Sequence, residues 1–226
     1  MTSPYADRMR GWIDREVART LPDWLHMFVD GVAQSRTEDF TAFLPPAEGG
    51  REGAVLVLFG ETDGEPDLLI IERAHDMRSH AGQPAFPGGA VDDADDGPIS
   101  AALREAVEET GLDPSGVEVF GPLPLLYLPP SNFLVTPVLG FWRVPSDVSV
   151  VDPVEVASVH RVPIAHFADP DNRMRVRRPT RYVGYGFAVA GLMMWGFTAG
   201  VVNGMLDLGG WARPWNRDRI VDWDAS

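Results

Sequence analysis

Apolar runs of strand and helix character divide the chain into predicted elements. The first two runs, Ala54–Phe59 and Asp67–Arg73, are rich in aliphatic residues and are separated by a polar segment, Thr62–Pro66. This pattern predicts two strands joined by a turn. The runs Val117–Leu128 and Phe133–Val144 flank a proline-containing loop and predict a second strand pair.

Helical spacing of apolar positions occurs in other parts of the chain. Residues 5–35 predict two helices on the edge of the domain, with Pro22 between them. Residues 99–110 predict a third helix, which ends at Gly111 in the left-handed position that glycine favours. A loop and a strand are expected over residues 152–160, and a short helix near residues 163–167.

A stretch without charged residues runs from Tyr182 to Leu206 and is long enough to span a bilayer. Glycines interrupt it, its first part (182–189) has strand character, and its last part (195–206) has helical character. We therefore expect a strand and a helix of a globular domain. Membrane attachment is the alternative, which cell fractionation would test.

Length, composition and charge narrow the class of protein. The 226 residues suffice for one domain with a core, and we predict a helical extension (1–45), a main domain (46–208) and a tail (209–226). The lack of cysteine excludes disulfides and thiol catalysis, and with an N-terminal segment that lacks a signal-like apolar core it predicts a cytoplasmic protein. The net charge of -14 argues against nucleic acid and anionic membranes as partners.

Three acidic residues share one face of the helix predicted over residues 99–110. Glu105, Glu108 and Glu109 are spaced three and four positions apart, so that their carboxylates lie together. Such crowding is tolerable around a divalent cation, because Mg2+ prefers oxygen ligands. The alternative is a solvated acidic helix face. Arg104 lies one turn before Glu108 and can pair with it.

Two glycines upstream, Gly88 and Gly89, allow the backbone to approach this helix closely, so a main-chain carbonyl can join the carboxylates around a metal. The helix and this loop together resemble the signature of the Nudix hydrolases: a glycine, five residues, an acid, seven residues and then R-E-x-x-E-E-x-G with an apolar residue. The matching positions of the second half are Arg104, Glu105, Glu108, Glu109, Gly111 and Leu112.

The loop before the helix departs from this signature. Its acid is an aspartate, and five residues after Gly89 lead to Asp95, which leaves eight residues before Arg104. Either Asp95 or Asp96 therefore takes the place of the acid. The longer loop, with Asp92 three residues after Gly89, resembles the coenzyme A pyrophosphatase branch of the family.

A second motif resembles the same branch. The branch pattern R-[SA]-x3-R-x3-G-x3-F-P-G-G is matched by Arg73, Ala74, Arg78, Gly82 and the segment Phe86–Gly89. Only the threonine usually found in the lead-in is missing.

The resemblance implies an α/β/α sandwich with a mixed sheet and Mg2+- or Mn2+-dependent hydrolysis of the diphosphate linkage of coenzyme A or its thioesters. It further implies that Glu105 and Glu109 are metal ligands, that Glu108 is a further or outer ligand, that the Gly88 carbonyl is a main-chain ligand, and that Arg104 orients the glutamates. A homodimer is compatible with it. A Nudix enzyme for another nucleoside diphosphate derivative and a noncatalytic nucleotide-binding module are the alternatives.

The substrate contacts implied by the branch motif are Arg73, Arg78, Gly82, Phe86 and Gly89. We expect Arg73 or Arg78 to grip the 3′-phosphate that distinguishes coenzyme A, because a guanidinium binds phosphate oxygens in pairs. The alternatives are a salt bridge, a contact to the diphosphate, or selectivity from the arginine run 173–181. Glu108, Asp152 and Glu155 are all candidates for the general base.

Overall fold

The structure, a computed structural model, describes residues 5, 7–75, 82–129, 131–179 and 183–223. Its helices are α1 (Arg15–Ala18), α2 (Asp23–Val32), α3 (Pro98–Thr110), α4 (Ile164–Ala168) and α5 (Gly196–Leu208). Its strands are β1 (Arg51–Thr62), β2 (Glu65–Arg73), β3 (Pro84–Ala85), β4 (Gly88–Ala90), β5 (Val117–Pro122), β6 (Leu126–Leu128), β7 (Phe133–Trp142), β8 (Val156–Pro163), β9 (Arg173–Arg177), β10 (Val183–Val189), β11 (Leu192–Trp195) and β12 (Ile220–Asp222).

A mixed sheet forms the centre of the described part of the chain. Its strands follow the order β3-β2-β1-β7-β5, with β4 also paired to β1, β6 to β7 and β8 to β2. Strands β1 and β7 run parallel, whereas β1 and β2 are antiparallel, as the predicted turn between them requires. The two predicted strand pairs are therefore confirmed, although the second is split, since β5 and β6 pair separately with β7.

Strand β1 is buried on both faces, because helices cover the sheet from two sides. Leu56 and Leu58 pack against Ala102 and Ala106 of α3 in one apolar cluster. The alternate residues of β1 point into a second cluster, which includes Phe28 of α2 and Val202 of α5. This arrangement confirms the α/β/α sandwich with a mixed sheet.

Helix α3 closely matches the predicted helix 99–110. Pro98 occupies its first turn, where no backbone N–H is needed, and Gly111 ends it in the left-handed conformation with a φ of 70°. The alanines of α3 pack on β1, and Glu105 and Glu109 of the same helix lie against Gly89 and Gly88 of β4.

The N-terminal region contains the two predicted helices with Pro22 between them, but they cover only part of residues 5–35. Helix α2 is present, but α1 has only four residues and the segment before it is not helical. Its backbone groups bond to the strand region instead, since Leu125 donates its N–H to the Arg8 carbonyl (2.7 Å) and Asp14 donates to the Phe120 carbonyl (2.8 Å).

A second, four-stranded sheet of order β11-β10-β9-β12 follows in the described residues. The predicted division of the uncharged stretch is confirmed from residue 183 onward, where β10, β11 and α5 take up its length. No helix in the described ranges has both the length and the apolar character needed to cross a membrane. The tail packs against the domain, because Trp211 stacks on Phe28 and β12 pairs with β9.

Candidate metal centre and active site

Arg104 of α3 holds the acidic loop and the glutamates in place. Its Nε and Nη2 atoms donate to both carboxylate oxygens of Asp95 at 3.1 and 2.9 Å, and Nη2 also donates to the Ala90 carbonyl. Its Nη1 atom donates to Glu105 (3.0 Å) and to Glu108 (3.1 Å). The predicted pairing with Glu108 is thus confirmed, and the guanidinium orients Glu105 as the resemblance implied.

Asp95, rather than Asp96, is the acid that meets this arginine. The Asp95 carboxylate also accepts the Asp92 N–H at 2.9 Å, whereas Asp96 is exposed to solvent. The hydrogen bonds from Arg104 lower the pKa of Asp95 to about 2. The extra residue of the loop therefore lies between this aspartate and α3.

Glu109 is a buried acid. Its residue is only 2 % exposed, and its Oε2 atom accepts the Gly88 N–H at 2.9 Å. Its Oε1 atom is buried without a hydrogen-bond partner, and the nearest guanidinium nitrogen, Nη1 of Arg73, is 3.9 Å away. Burial raises the pKa of Glu109 to about 8, more than the Gly88 hydrogen bond and the Arg73 charge lower it.

Glu105 lies beside Glu109, against Gly89 of strand β4. A Cβ atom at Gly89 would stand 2.5 Å from a carboxylate oxygen of Glu105, so a larger residue there would displace this carboxylate from its present position. Burial raises the pKa of Glu105, against the opposing effect of Arg104. The close approach that was predicted for the two glycines is therefore present.

A third carboxylate comes from outside the helix. Glu155, in the loop before β8, joins Glu105 and Glu109 in a group whose ligand atoms all lie within 4.8 Å of one another. The sequence pointed to Glu155 only as one of three candidates for the general base, unranked against Asp152 and Glu108. Only the fold brings residues 46 to 50 positions apart together here.

This group fits a divalent cation of the Mg2+ or Mn2+ type. All its donors are carboxylate oxygens, which such cations prefer. The unpartnered Oε1 atom of Glu109 is a buried acceptor that a cation would satisfy. Burial raises the pKa values of both Glu105 and Glu109 despite the nearby Arg104 and Arg73, so the ionised carboxylates are costly there without a further cation. Glu105, Glu109 and Glu155 would hold the ion.

Two residues implied by the resemblance lie apart from the three-carboxylate group. The Glu108 side chain is 58 % exposed, is bonded to Arg104 and is not a member of the three-carboxylate group. Phe86 is 2 % exposed and packs in the core with Phe28 and Val57, so its side chain is not available at the surface for a substrate. Its packing anchors the chain just before Gly88 and Gly89 in the core.

The predicted substrate arginines divide into separate places. Arg73 lies beside Glu109, which favours a contact to the diphosphate over one to a remote 3′-phosphate. Gly82 donates its N–H to the Arg73 carbonyl at 3.0 Å and so closes the loop between them. Arg78 lies outside the described residues.

The arginine run 173–181 is described as far as residue 179. Arg173 is 2 % exposed and donates to Asn203, so it is part of the interior. Arg177 pairs with Asp222 on the surface. Arg178 stacks on Trp195, with its Cζ atom 4.3 Å from the ring centroid. Strand β11, which ends at Trp195, lies beside β3.

Fold and site together define a class: an α/β protein in which a helix and a loop present a carboxylate site for a divalent cation, the arrangement of a metal-dependent hydrolase. A model of the NUDIX domain matches residues 50–182, more than half of the chain. The chain belongs to the Nudix hydrolase family, and its class of activity is that of a Nudix pyrophosphatase.

Two relatives and a solved structure are consistent with membership of the Nudix hydrolase family. The chain is 40% identical over 164 residues to "Uncharacterized Nudix hydrolase NudL" of Cronobacter sakazakii and 38% identical over 157 residues to the NudL protein of Escherichia coli K12. Each match covers 68% of this chain and 80% of the relative. The crystal structure of the Nudix hydrolase RenU from M. smegmatis aligns with a TM-score of 0.50 at 20% identity, over 75% of this chain and 92% of RenU, and shows the same fold.

Proposed function

We propose that this protein hydrolyses the diphosphate linkage of coenzyme A or of its thioesters. The products are 3′,5′-ADP and 4′-phosphopantetheine or its acyl derivative. The observation that carries the proposal is the position of Arg73: the first residue of the branch motif lies beside Glu109 of the cation site. Residues that resemble a coenzyme A signature thus adjoin the carboxylates that the chemistry needs.

The residues of the site have distinct tasks. Glu105, Glu109 and Glu155 hold the divalent cation, and Arg104 fixes the first of these through its Nη1 atom. When bound, the cation neutralises the diphosphate and makes its phosphorus more open to attack by water. Arg73 has a partly exposed guanidinium directed at this site, and it binds diphosphate oxygens in pairs where lysine cannot.

The test is turnover of a substrate panel with Mg2+ or Mn2+. The panel contains coenzyme A, an acyl-coenzyme A, 3′-dephospho-coenzyme A, ADP-ribose, a dinucleotide and a nucleoside triphosphate, with products identified by mass spectrometry. We expect metal-dependent release of 3′,5′-ADP and the highest kcat/KM for coenzyme A or its thioester. Hydrolysis in 18O-labelled water identifies which phosphorus is attacked.

The matched control is Glu109→Gln, which keeps the shape of the side chain and removes the charge. A higher kcat/KM for another nucleoside diphosphate derivative would replace the proposed substrate and keep the metal site. Absence of metal-dependent turnover on the whole panel would favour a noncatalytic binding module.

A further inference from the structure

Glu155 reaches the cation site in a different way from its two partners. Glu105 and Glu109 are fixed by α3, whereas Glu155 lies in a loop and is exposed. Side-chain packing therefore does not hold it. The course of the loop backbone therefore decides whether the carboxylate of Glu155 lies close to those of Glu105 and Glu109.

The loop is anchored to the C-terminal end of α3. Ser149 donates its N–H to the Thr110 carbonyl (2.9 Å), and Val151 donates to the Glu109 carbonyl (3.2 Å). These are carbonyls of the last turn of a helix, which have no partner within the helix. These two hydrogen bonds thus satisfy free carbonyls at the end of α3. They also hold the chain close to the cation site up to Val151, just before Asp152.

Asp152 then turns the chain. Its Oδ1 atom accepts the N–H of Val154 at 2.9 Å, and its carbonyl accepts the N–H groups of Glu155 (3.2 Å) and Val156 (2.9 Å). On the far side, Ala74 donates its N–H to the Glu155 carbonyl at 2.8 Å. An aspartate that bonds to the backbone two residues ahead in this way stabilises a turn through its oxygen atom, not through its charge.

We propose that Asp152 is a positioning residue whose side-chain oxygen forms the turn that delivers Glu155 to the cation held by Glu105 and Glu109. This inference deepens the proposed metal-dependent function and rests on it.

Two substitutions separate the oxygen from the charge. Asp152→Asn keeps an oxygen that can accept the Val154 N–H, and Asp152→Ala removes it. The chain also offers a matched control: Asp169 makes the same turn, accepting the Asp171 N–H at 2.9 Å, at the start of the segment that leads to β9. Asp169→Ala therefore tests the general cost of losing such a turn.

The primary measurement is Mn2+ affinity by calorimetry, without substrate. We expect Asp152→Ala to weaken Mn2+ binding by roughly 10- to 100-fold, the usual cost of losing a group that orients a metal ligand. Asp152→Asn should bind within about threefold of wild type, because asparagine and aspartate serve equally as such acceptors. Asp169→Ala should bind as wild type does.

A double-mutant cycle with Glu155→Gln tests the route of the effect. If Asp152 acts through Glu155, then Asp152→Ala adds no further loss of Mn2+ affinity once Glu155 is glutamine. The same cycle is measured as kcat on whichever diphosphate substrate the panel identifies.

Each other outcome overturns the inference. Equal weakening by Asp152→Asn and Asp152→Ala would show that the carboxylate charge itself is required, and wild-type binding by Asp152→Ala would show that the turn forms without it. Additive losses with Glu155→Gln would show a route that does not involve Glu155. Because Mn2+ binding needs no substrate, a wrong assignment of coenzyme A leaves this test intact.

Discussion

Glu109→Gln is expected to stabilise the metal-free protein near neutral pH while it abolishes most of the activity. The wild-type carboxylate is buried with one oxygen unpartnered, so its ionised form is costly without a cation. Glutamine has nearly the same shape and retains an oxygen for the Gly88 N–H. The substitution therefore removes a buried charge without opening a cavity.

The magnitude follows from the pKa of Glu109. Burial raises it to about 8 from the ordinary value of 4.5, so the folded chain holds this proton more tightly than the unfolded chain does. The contribution of Glu109 to the stability of the metal-free protein is then full below pH 4.5 and is lost as pH rises from there to about 8. At pH 7 the solution is about 2.5 pH units above the pKa of this group in the unfolded chain. Each unit corresponds to about 1.4 kcal/mol, so the loss in free energy of unfolding is roughly 3 kcal/mol.

The assay is urea unfolding in the presence of EDTA at pH 5, 7 and 8. Wild type should lose stability across this range, and Glu109→Gln should lose much less, so that the variant is the more stable protein at pH 8. Saturating Mg2+ or Mn2+ should then stabilise wild type by mass action and leave the variant nearly unchanged. The kcat of the variant should fall by about two orders of magnitude or more, as expected when a catalytic metal is lost.

Two results would contradict these roles of Glu109. An equally steep dependence of stability on pH in the variant would show that a group other than Glu109 binds the proton responsible for it. An unchanged kcat at saturating Mg2+ would show that Glu109 does not hold the metal.

Three further predictions concern the acids and the arginines. Asp95→Asn should lower kcat because it loosens the arginine of α3, while Asp96→Asn stays near wild type; the reverse pattern would exchange the two acids. Arg73→Ala should raise KM for coenzyme A and 3′-dephospho-coenzyme A alike by about ten- to a hundredfold, since a charge-assisted hydrogen bond is worth about 1.5 to 3 kcal/mol. An increase in KM confined to coenzyme A would instead assign Arg73 to the 3′-phosphate. Arg178→Ala, compared with Arg177→Ala as control, should raise KM for coenzyme A only; equal KM values for both variants would exclude this arginine from substrate selectivity.

The local part of the site was readable in the sequence. Helix α3, its end at Gly111 and the pairing of Arg104 with Glu108 all depend on residues within a few positions of each other. Spacing on one helix sets which side chains share a face, so a linear pattern contains this information. The strands β1 and β2 were readable for the same reason, since their apolar runs and their turn are contiguous.

The choice between Asp95 and Asp96 needed the structure. A count of positions leaves both open, because a loop of unknown shape can place either side chain near Arg104. Hydrogen bonds to both oxygens of Asp95 decide it, together with the exposure of Asp96.

Only the tertiary structure decided which third acid lies with Glu105 and Glu109, and what surrounds these carboxylates. The sequence favoured Glu108 by its spacing, yet its side chain is bonded to Arg104 at the surface, and Glu155 arrives from a loop anchored on the end of α3. Phe86 likewise lies within a binding motif but packs in the core. Spacing along one helix determines which acids are available, whereas contacts between distant segments, made by backbone hydrogen bonds and burial, determine which of them meet.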